Sequence, residues 1–267
     1  MSKTKLKKLT PERIVLLIAK AYKARKGVFV KLVNAENHIP KNTTPRQKTL
    51  FLFYVIQLDY ATKSQRLYQG AKDMWHYNKK YFTPEVIIKT SNSEMKGMLN
   101  KYLKPRYINE AVKRWKINSA KLLDYYKGDP VNIFRDTNYA KEVMKRIGKF
   151  RGFGPKIGNF FFRSMVNTFN FKLKNLEEIS QPVDVHDIRL TYEWGFINSK
   201  RMTPKNIRRV KDIWQEACKK AKISWLIFDR ALWILGSEGV RTNNPIKDIT
   251  INLGFPKADG KILTTNS

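Results

Sequence analysis

Phe150-Arg151-Gly152-Phe153-Gly154-Pro155-Lys156-Ile157-Gly158-Asn159-Phe160-Phe161-Phe162-Arg163-Ser164-Met165-Val166-Asn167-Thr168 is the stretch from which the fold is read. Gly152 and Gly154 permit a tight turn and a close backbone approach. Pro155 suits a first helical position, where its missing N–H is one a helix start leaves unbonded anyway. The apolar run after it continues as a helix to about Thr168. Upstream, Tyr139, Ala140, Val143, Met144 and Ile147 keep helical spacing over 137–147. A helix, a glycine hairpin and a second helix are therefore expected across 137–168. A helix start presents backbone N–H groups and a positive dipole end, which suits a phosphate. Lys156 falls in that first turn, where the same dipole repels an ammonium. It is either a solvent-facing side chain or an amine held partly neutral as a nucleophile.

Helical patterns continue on both sides of this stretch. Thr10-Pro11-Glu12 reads as a helix start, with Ile14, Leu17, Ile18 and Tyr22 at helical spacing. Residues 34–45 read as a polar loop. Residues 46–61 carry Leu50, Phe51, Phe53, Tyr54, Val55, Ile56 and Leu58, apolar nearly all round, and predict a buried helix. Further helices are expected over 63–82, from Thr83-Pro84-Glu85, and over 91–103 and 106–127. Gly128-Asp129-Pro130 is a turn. After a polar loop at 170–181, helices are expected from Pro182-Val183-Asp184-Val185-His186 to about Trp194, from Pro204 to about Lys222, and over about 223–236. Almost nothing alternates with period two, so the fold class is all-α, without repeats or a low-complexity linker. Residues 1–9 read as a mobile basic arm, and 10–267 as a single domain.

Charge narrows the partner. Lys and Arg number 53 against 22 Asp and Glu, a formal net charge of +31. That excess points to an anionic polymer, nucleic acid before membrane surface, bound with a steep salt dependence. The single cysteine, Cys218, excludes an intramolecular disulfide and a cysteine-ligated cluster, and its helical surroundings suggest a packed thiol. No apolar run approaches the ~18 residues of a membrane helix. The start lacks a signal-type apolar region, so an intracellular protein is expected. His38 and His76 lie far apart in sequence, and no histidine-based metal site is suggested.

A second motif joins the first. In Gln181-Pro182-Val183-Asp184-Val185-His186, proline and β-branched neighbours favour an extended run into a helix, at whose start Asp184 can accept backbone N–H groups as N-cap. Asp184 is either that cap alone or the carboxylate partner of Lys156, and His186 is expected to order the same helix start. Gly152-Phe153-Gly154-Pro155-Lys156 followed by Val183-Asp184 resembles the two signatures of the helix-hairpin-helix DNA glycosylase superfamily. The longer separation between them is similar to the archaeal 8-oxoguanine glycosylase branch. Arg189-Leu190-Thr191, Gly195-Phe196-Ile197, Ile213-Trp214 and Asp229-Arg230-Ala231-Leu232-Trp233-Ile234-Leu235-Gly236 follow that branch in order. The likeness covers about 140–255.

The resemblance implies a two-lobed helical glycosylase with its active-site cleft between the lobes. It implies a base flipped out of duplex DNA, Lys156 attacking C1′ to displace the base, a Schiff base, and β-elimination. Asp184 would stabilise the cationic sugar. Asp229 and Trp233, four apart on one helix face, match positions that bond the purine, and Phe160 matches a stacking ring. Tyr68 would be a second stacking partner. Trp233 and Phe160 also read as core residues, and Asp229 as a cap or a salt-bridge partner. Gly152, Phe153 and Gly154, with Arg151 beside them, would meet DNA. In Ile56-Gln57-Leu58-Asp59-Tyr60-Ala61-Thr62, Tyr60 would fill the gap left by the flipped nucleotide, where the family usually has glutamine or asparagine. The implied protein is a cytoplasmic, nucleoid-associated monomer acting on double-stranded DNA with a damaged base, with no cofactor and no iron–sulfur cluster. The expected substrate is 8-oxoguanine. Another damaged or mismatched base remains open, as does a non-catalytic helix-hairpin-helix binding module.

Overall fold

A computed structural model describes residues 9–31, 33–60, 62–179, 182–242 and 244–254. Twelve α-helices run through them: α1 (Pro11–Lys23), α2 (Pro45–Ile56), α3 (Ser64–Asn78), α4 (Pro84–Lys89), α5 (Asn92–Tyr102), α6 (Ile108–Tyr126), α7 (Ala140–Ile147), α8 (Pro155–Phe169), α9 (Val185–Glu193), α10 (Pro204–Ala221), α11 (Trp225–Glu238) and α12 (Pro245–Leu253). Among the described residues there is no strand, only an isolated bridge between Tyr139 and Lys174. None of these helices is long and apolar enough to cross a membrane. Apart from residue 9, the basic arm expected at 1–9 lies outside the described residues, as do Gln181 of the second motif and Ala61.

Two compact units divide the chain. One is residues 33–179, and the other joins the two ends, residues up to 32 and from 180 onward. The middle unit is built around α2, whose residues from Leu50 to Ile56 are all buried, as their apolar run requires. Phe53 is its centre. Its ring stacks on Phe153 at 5.1 Å and meets Phe150 and Phe161 edge-on at 5.1 and 5.5 Å. Such pairs add about 0.5–1.5 kcal/mol each beyond their area. The end unit packs α1 on α10 and α11, and α9 on α11. Trp214 is central there, with Trp194 and Phe228 at 5.7 and 5.2 Å and its indole N–H on Thr191 Oγ1 at 2.9 Å.

Helix starts follow their caps. Thr10 accepts from the Arg13 N–H at 3.2 Å, and Ser91 accepts from the Glu94 N–H at 3.1 Å. Several bounds differ from the sequence expectation. Pro45, expected in a loop, is the first residue of α2, because Thr44 and Gln47 close a reciprocal capping box ahead of it. The same helix stops at Ile56 rather than 61, since the next residues turn and commit Asp59 to side chains of α3. The helix expected over 63–82 ends at Asn78 and tightens into a 3-10 turn at Lys79–Phe82. α7 begins at Ala140 rather than 137, its approach held in the extended bridge to Lys174. The polar loop at 34–45 contains a 3-10 turn, Ala35–His38. α12 was not expected at all.

Candidate active site

The hairpin between α7 and α8 is held by α6 and by the end of α2. Asn118 of α6 is fully buried. Its amide N–H donates to the Arg151 carbonyl at 3.0 Å, and its oxygen accepts from the Arg151 N–H at 2.8 Å. The same amide nitrogen donates to Gln57 Oε1 at 2.9 Å. Arg114 donates to the Gln57 carbonyl at 3.1 Å and to Glu110 at 3.1 Å. The Arg151 side chain, expected on DNA, lies in a two-pronged pair with Glu110, both contacts at 2.9 Å. Arg151, with Arg114 adding, holds the Glu110 carboxyl below its ordinary range against a smaller opposing effect of burial.

The two hairpin glycines do different work. Gly152 has φ +84°, and a Cβ there would sit 2.8 Å from Arg114 Nε, so any side chain would be strained and would have to displace Arg114. Gly154 has an ordinary φ of −67°, and a Cβ would meet nothing within 4 Å. It is the N-cap of α8 without a capping side chain, so its surface is open to an approaching group. Phe153, between them, is buried in the Phe53 cluster. Its sequence reading as a DNA contact gives way to a core role.

Lys156 is exposed in the first turn of α8. Phe160, one turn on, is half-buried, and the Arg163 guanidinium lies over its ring at 4.9 Å. The sequence reading missed a carboxylate that faces this helix. Asp59, just past α2, feels the charges of both Lys156 and Arg163. Ser64 Oγ donates to Asp59 Oδ1 at 2.8 Å, and the Tyr68 hydroxyl donates to Oδ2. Burial pushes the Asp59 carboxyl up, opposed by those two donors and the two cations. Tyr68 is fully buried against the His38 ring, so the stacking role read for it is replaced by its bond to Asp59. Tyr60, the residue next to Asp59, is 55% exposed and free of the core.

Asp184 sits in the other unit as the N-cap of α9. It accepts from the His186 N–H at 2.7 Å and the Asp187 N–H at 3.3 Å, while Asp187 Oδ2 accepts from the Asp184 N–H at 2.8 Å. This reciprocal box buries both carboxylates. His186, expected to order this helix start, packs its Cβ where any side chain on Gly236 would collide, at 2.6 Å. α9 and α11 therefore meet through that glycine. On α11, Asp229 is buried and Trp233 half-buried. Burial, with the Asp229 charge adding, pushes the Cys218 thiol up to about 12, as a packed cysteine requires.

A separate pocket of about 560 Å³ opens beside α3 and α5, with Lys63, Arg66, Lys101 and Lys104 in its walls. Its one lining carboxylate, Asp73, accepts from Gln69 at 2.9 Å. No individual residue in the sequence singled it out, because its lysines are scattered over forty positions of a generally basic chain.

No protein-family model matches the sequence, and no curated protein matches it. The fold is similar to the solved structure of a thermostable thymine-DNA glycosylase, with a TM-score of 0.55 and 13% identity over 90% of this chain and 93% of that chain. At that identity the likeness establishes architecture: the chain has an all-α DNA-glycosylase fold.

Proposed function

We propose that the protein is a base-excision DNA glycosylase with lyase activity, and that Lys156 is its nucleophile. One observation carries this: in a glycosylase fold, an exposed lysine stands one residue beyond the Gly154-Pro155 helix start, on the helix face shared by Phe160 and Arg163. A net charge of +31 supplies the affinity for a polyanion. Gly154 is open to a phosphate, and exposed Tyr60 has the character of a side chain that fills the space of a flipped nucleotide.

In the mechanism we infer, the neutral amine of Lys156 attacks C1′, the C1′–N bond breaks, and the base leaves with the electron pair. Nζ then gives up a proton and O4′ gains one as the C1′–O4′ bond opens, and the Schiff base so formed permits β-elimination. Asp184, fixed as a cap, offers a carboxylate to the cationic sugar. Asp229 and Trp233 fit recognition of an oxidised purine, and 8-oxoguanine is the favoured substrate, because its N7–H is a donor that guanine lacks and a carboxylate accepts. A single flipped base requires one copy of the chain, which fits an intracellular monomer on chromosomal DNA. The neighbouring structure's glycosylase acts on thymine, so a thymine mispair is the second reading.

Duplexes carrying one candidate lesion each test this. Strand cleavage without alkali is expected at 8-oxoguanine. Cleavage only at a thymine mispair selects the second reading. Salt-sensitive binding with no base released from any duplex overturns both in favour of a non-catalytic module.

A further inference from the structure

The pocket beside α3 and α5 gathers positive charge that the chemistry above leaves unused. Lys63 and Arg66 stand at the start of α3, Lys101 in the last turn of α5, and Lys104 just past it. Elsewhere in the same unit several arginines are matched to carboxylates: Arg46 to Glu85, Arg114 and Arg151 to Glu110, Arg146 to Glu142. Among the described residues, none of the four pocket cations has an ion-pair partner. Like charges facing one cavity repel, so other contacts have to hold their helices together. A Cβ on Gly70 would lie 2.0 Å from the Tyr102 carbonyl oxygen, so α3 and α5 touch backbone to backbone in the pocket wall. Arg66 donates to the Lys104 carbonyl at 3.2 Å, and the Asn78 amide donates to the Tyr102 hydroxyl at 3.0 Å. The result is a fixed, concave, cationic site. Its volume of about 560 Å³ falls within the roughly 300–1,000 Å³ of ligand sites. Among the described residues, its walls include none from the hairpin or α8.

We propose that this pocket is a second DNA site, separate from the hairpin, which holds the sugar–phosphate backbone of one strand a few nucleotides to one side of the lesion. A concave surface of one charge sign focuses its field on an anion. The Arg66 guanidinium can clasp two oxygens of a phosphate, and the lysines add point charges around it. Four cations spread over two helices suit successive phosphates of a strand, and such contacts position DNA without reading its sequence. The chain itself sets the register. Lys63 lies three residues past the exposed Tyr60. Three residues span at most about 11 Å, roughly three steps of a strand that rises ~3.4 Å per nucleotide. With Tyr60 in the gap of a flipped nucleotide, the backbone entering the pocket is therefore close to the lesion. That register rests on the glycosylase reading, whereas the pocket's hold on a DNA backbone does not.

Two measurements test the proposal. The first is binding of the full chain to an undamaged duplex over a salt series. Lys63→Gln combined with Lys101→Gln should lower the slope of log affinity against log salt by about 2. The Lys63 side chain makes no cap bond to α3, so the change should spare the fold. Lys63→Arg with Lys101→Arg should keep the parent slope. Lys89→Gln with Lys96→Gln removes the same charge from exposed positions of the same unit outside the pocket, and should leave the slope unchanged. An unchanged slope in the pocket pair, or an equal loss in both glutamine pairs, overturns the proposal, the latter because general charge then suffices.

The second measurement reads the register. A duplex with one reduced abasic site, which cannot form a Schiff base, carries a single uncharged methylphosphonate moved one position at a time. Binding should weaken at one group of phosphates beside the lesion and at a second group a few nucleotides further along one side. In the Lys63→Gln, Lys101→Gln chain the second group should lose its effect while the first keeps it. A single group, or a second group indifferent to the pocket pair, overturns the proposed placement. If the chain binds this duplex no better than an undamaged one, the glycosylase reading fails. The salt slopes then still decide separately whether the pocket holds DNA.

Discussion

The side-chain amide of Asn118 pairs in both directions with the backbone of Arg151, donating at 3.0 Å and accepting at 2.8 Å. One buried residue of α6 thereby sets the height of the hairpin that precedes Lys156. Asn118→Ala leaves the Arg151 N–H and carbonyl without those partners. The expected cost is about 2–3 kcal/mol, and a thermal melt should fall by roughly 5–10 °C. Amide exchange at Arg151 should accelerate with it.

The hairpin glycines should separate folding from binding. Gly152→Ala forces a side chain into a left-handed conformation, costing about 1–2 kcal/mol, and drives Arg114 off its contacts with Glu110 and Gln57. Gly154→Ala meets neither strain nor neighbour. It should melt like the parent chain and still bind duplex DNA more weakly, because the added methyl occupies the open approach to α8. Melting and binding isotherms on the two variants check this.

Acid should loosen the same hairpin. Arg151 and Arg114 hold the Glu110 carboxyl below its ordinary value of 4.5. Its stabilising contribution is therefore complete above that value and is lost as pH falls through the lower folded value. The pair is substantially solvent-exposed, so the effect is modest. Comparing melts of the parent chain and Glu110→Gln between pH 7 and 3 should show the difference shrinking toward the acid end.

The basic pocket beside α3 and α5 should contribute to the electrostatic grip on DNA. Replacing Lys101 and Lys104 by alanine should reduce the slope of log affinity against log salt by about 2, at equal cost to every duplex sequence. A titration series at several salt concentrations reads it directly.

Asp184→Asn should remove charge without removing the helix cap, since asparagine caps about as well as aspartate. DNA binding and melting should stay close to the parent. Base release should slow by about 100-fold or more, measured in single turnover.

Much of this was legible in the sequence because local rules and tertiary packing agree. Pro155 opens α8, Asp184 caps α9, and the apolar run from Leu50 to Ile56 is buried on every side. Misreadings arose where tertiary partners decided. Phe153 looked like a hairpin tip, but Phe53 claims its ring. Tyr68 looked like a stacking ring, but its hydroxyl belongs to Asp59. Asp59 was invisible as a site residue because its neighbours come from α3 and α8, far along the chain. α12 went unread, and on it lie Ile249, Ile251 and Leu253. The helix buries the first and last and leaves Ile251 exposed.

The most direct measurement is the site of the covalent adduct. Borohydride reduction during reaction with an 8-oxoguanine duplex, followed by proteolysis and mass spectrometry, should place the sugar remnant on the peptide containing Lys156, and Lys156→Ala should abolish it. An adduct on another residue, or one undiminished in Lys156→Ala, would contradict Lys156 as the nucleophile.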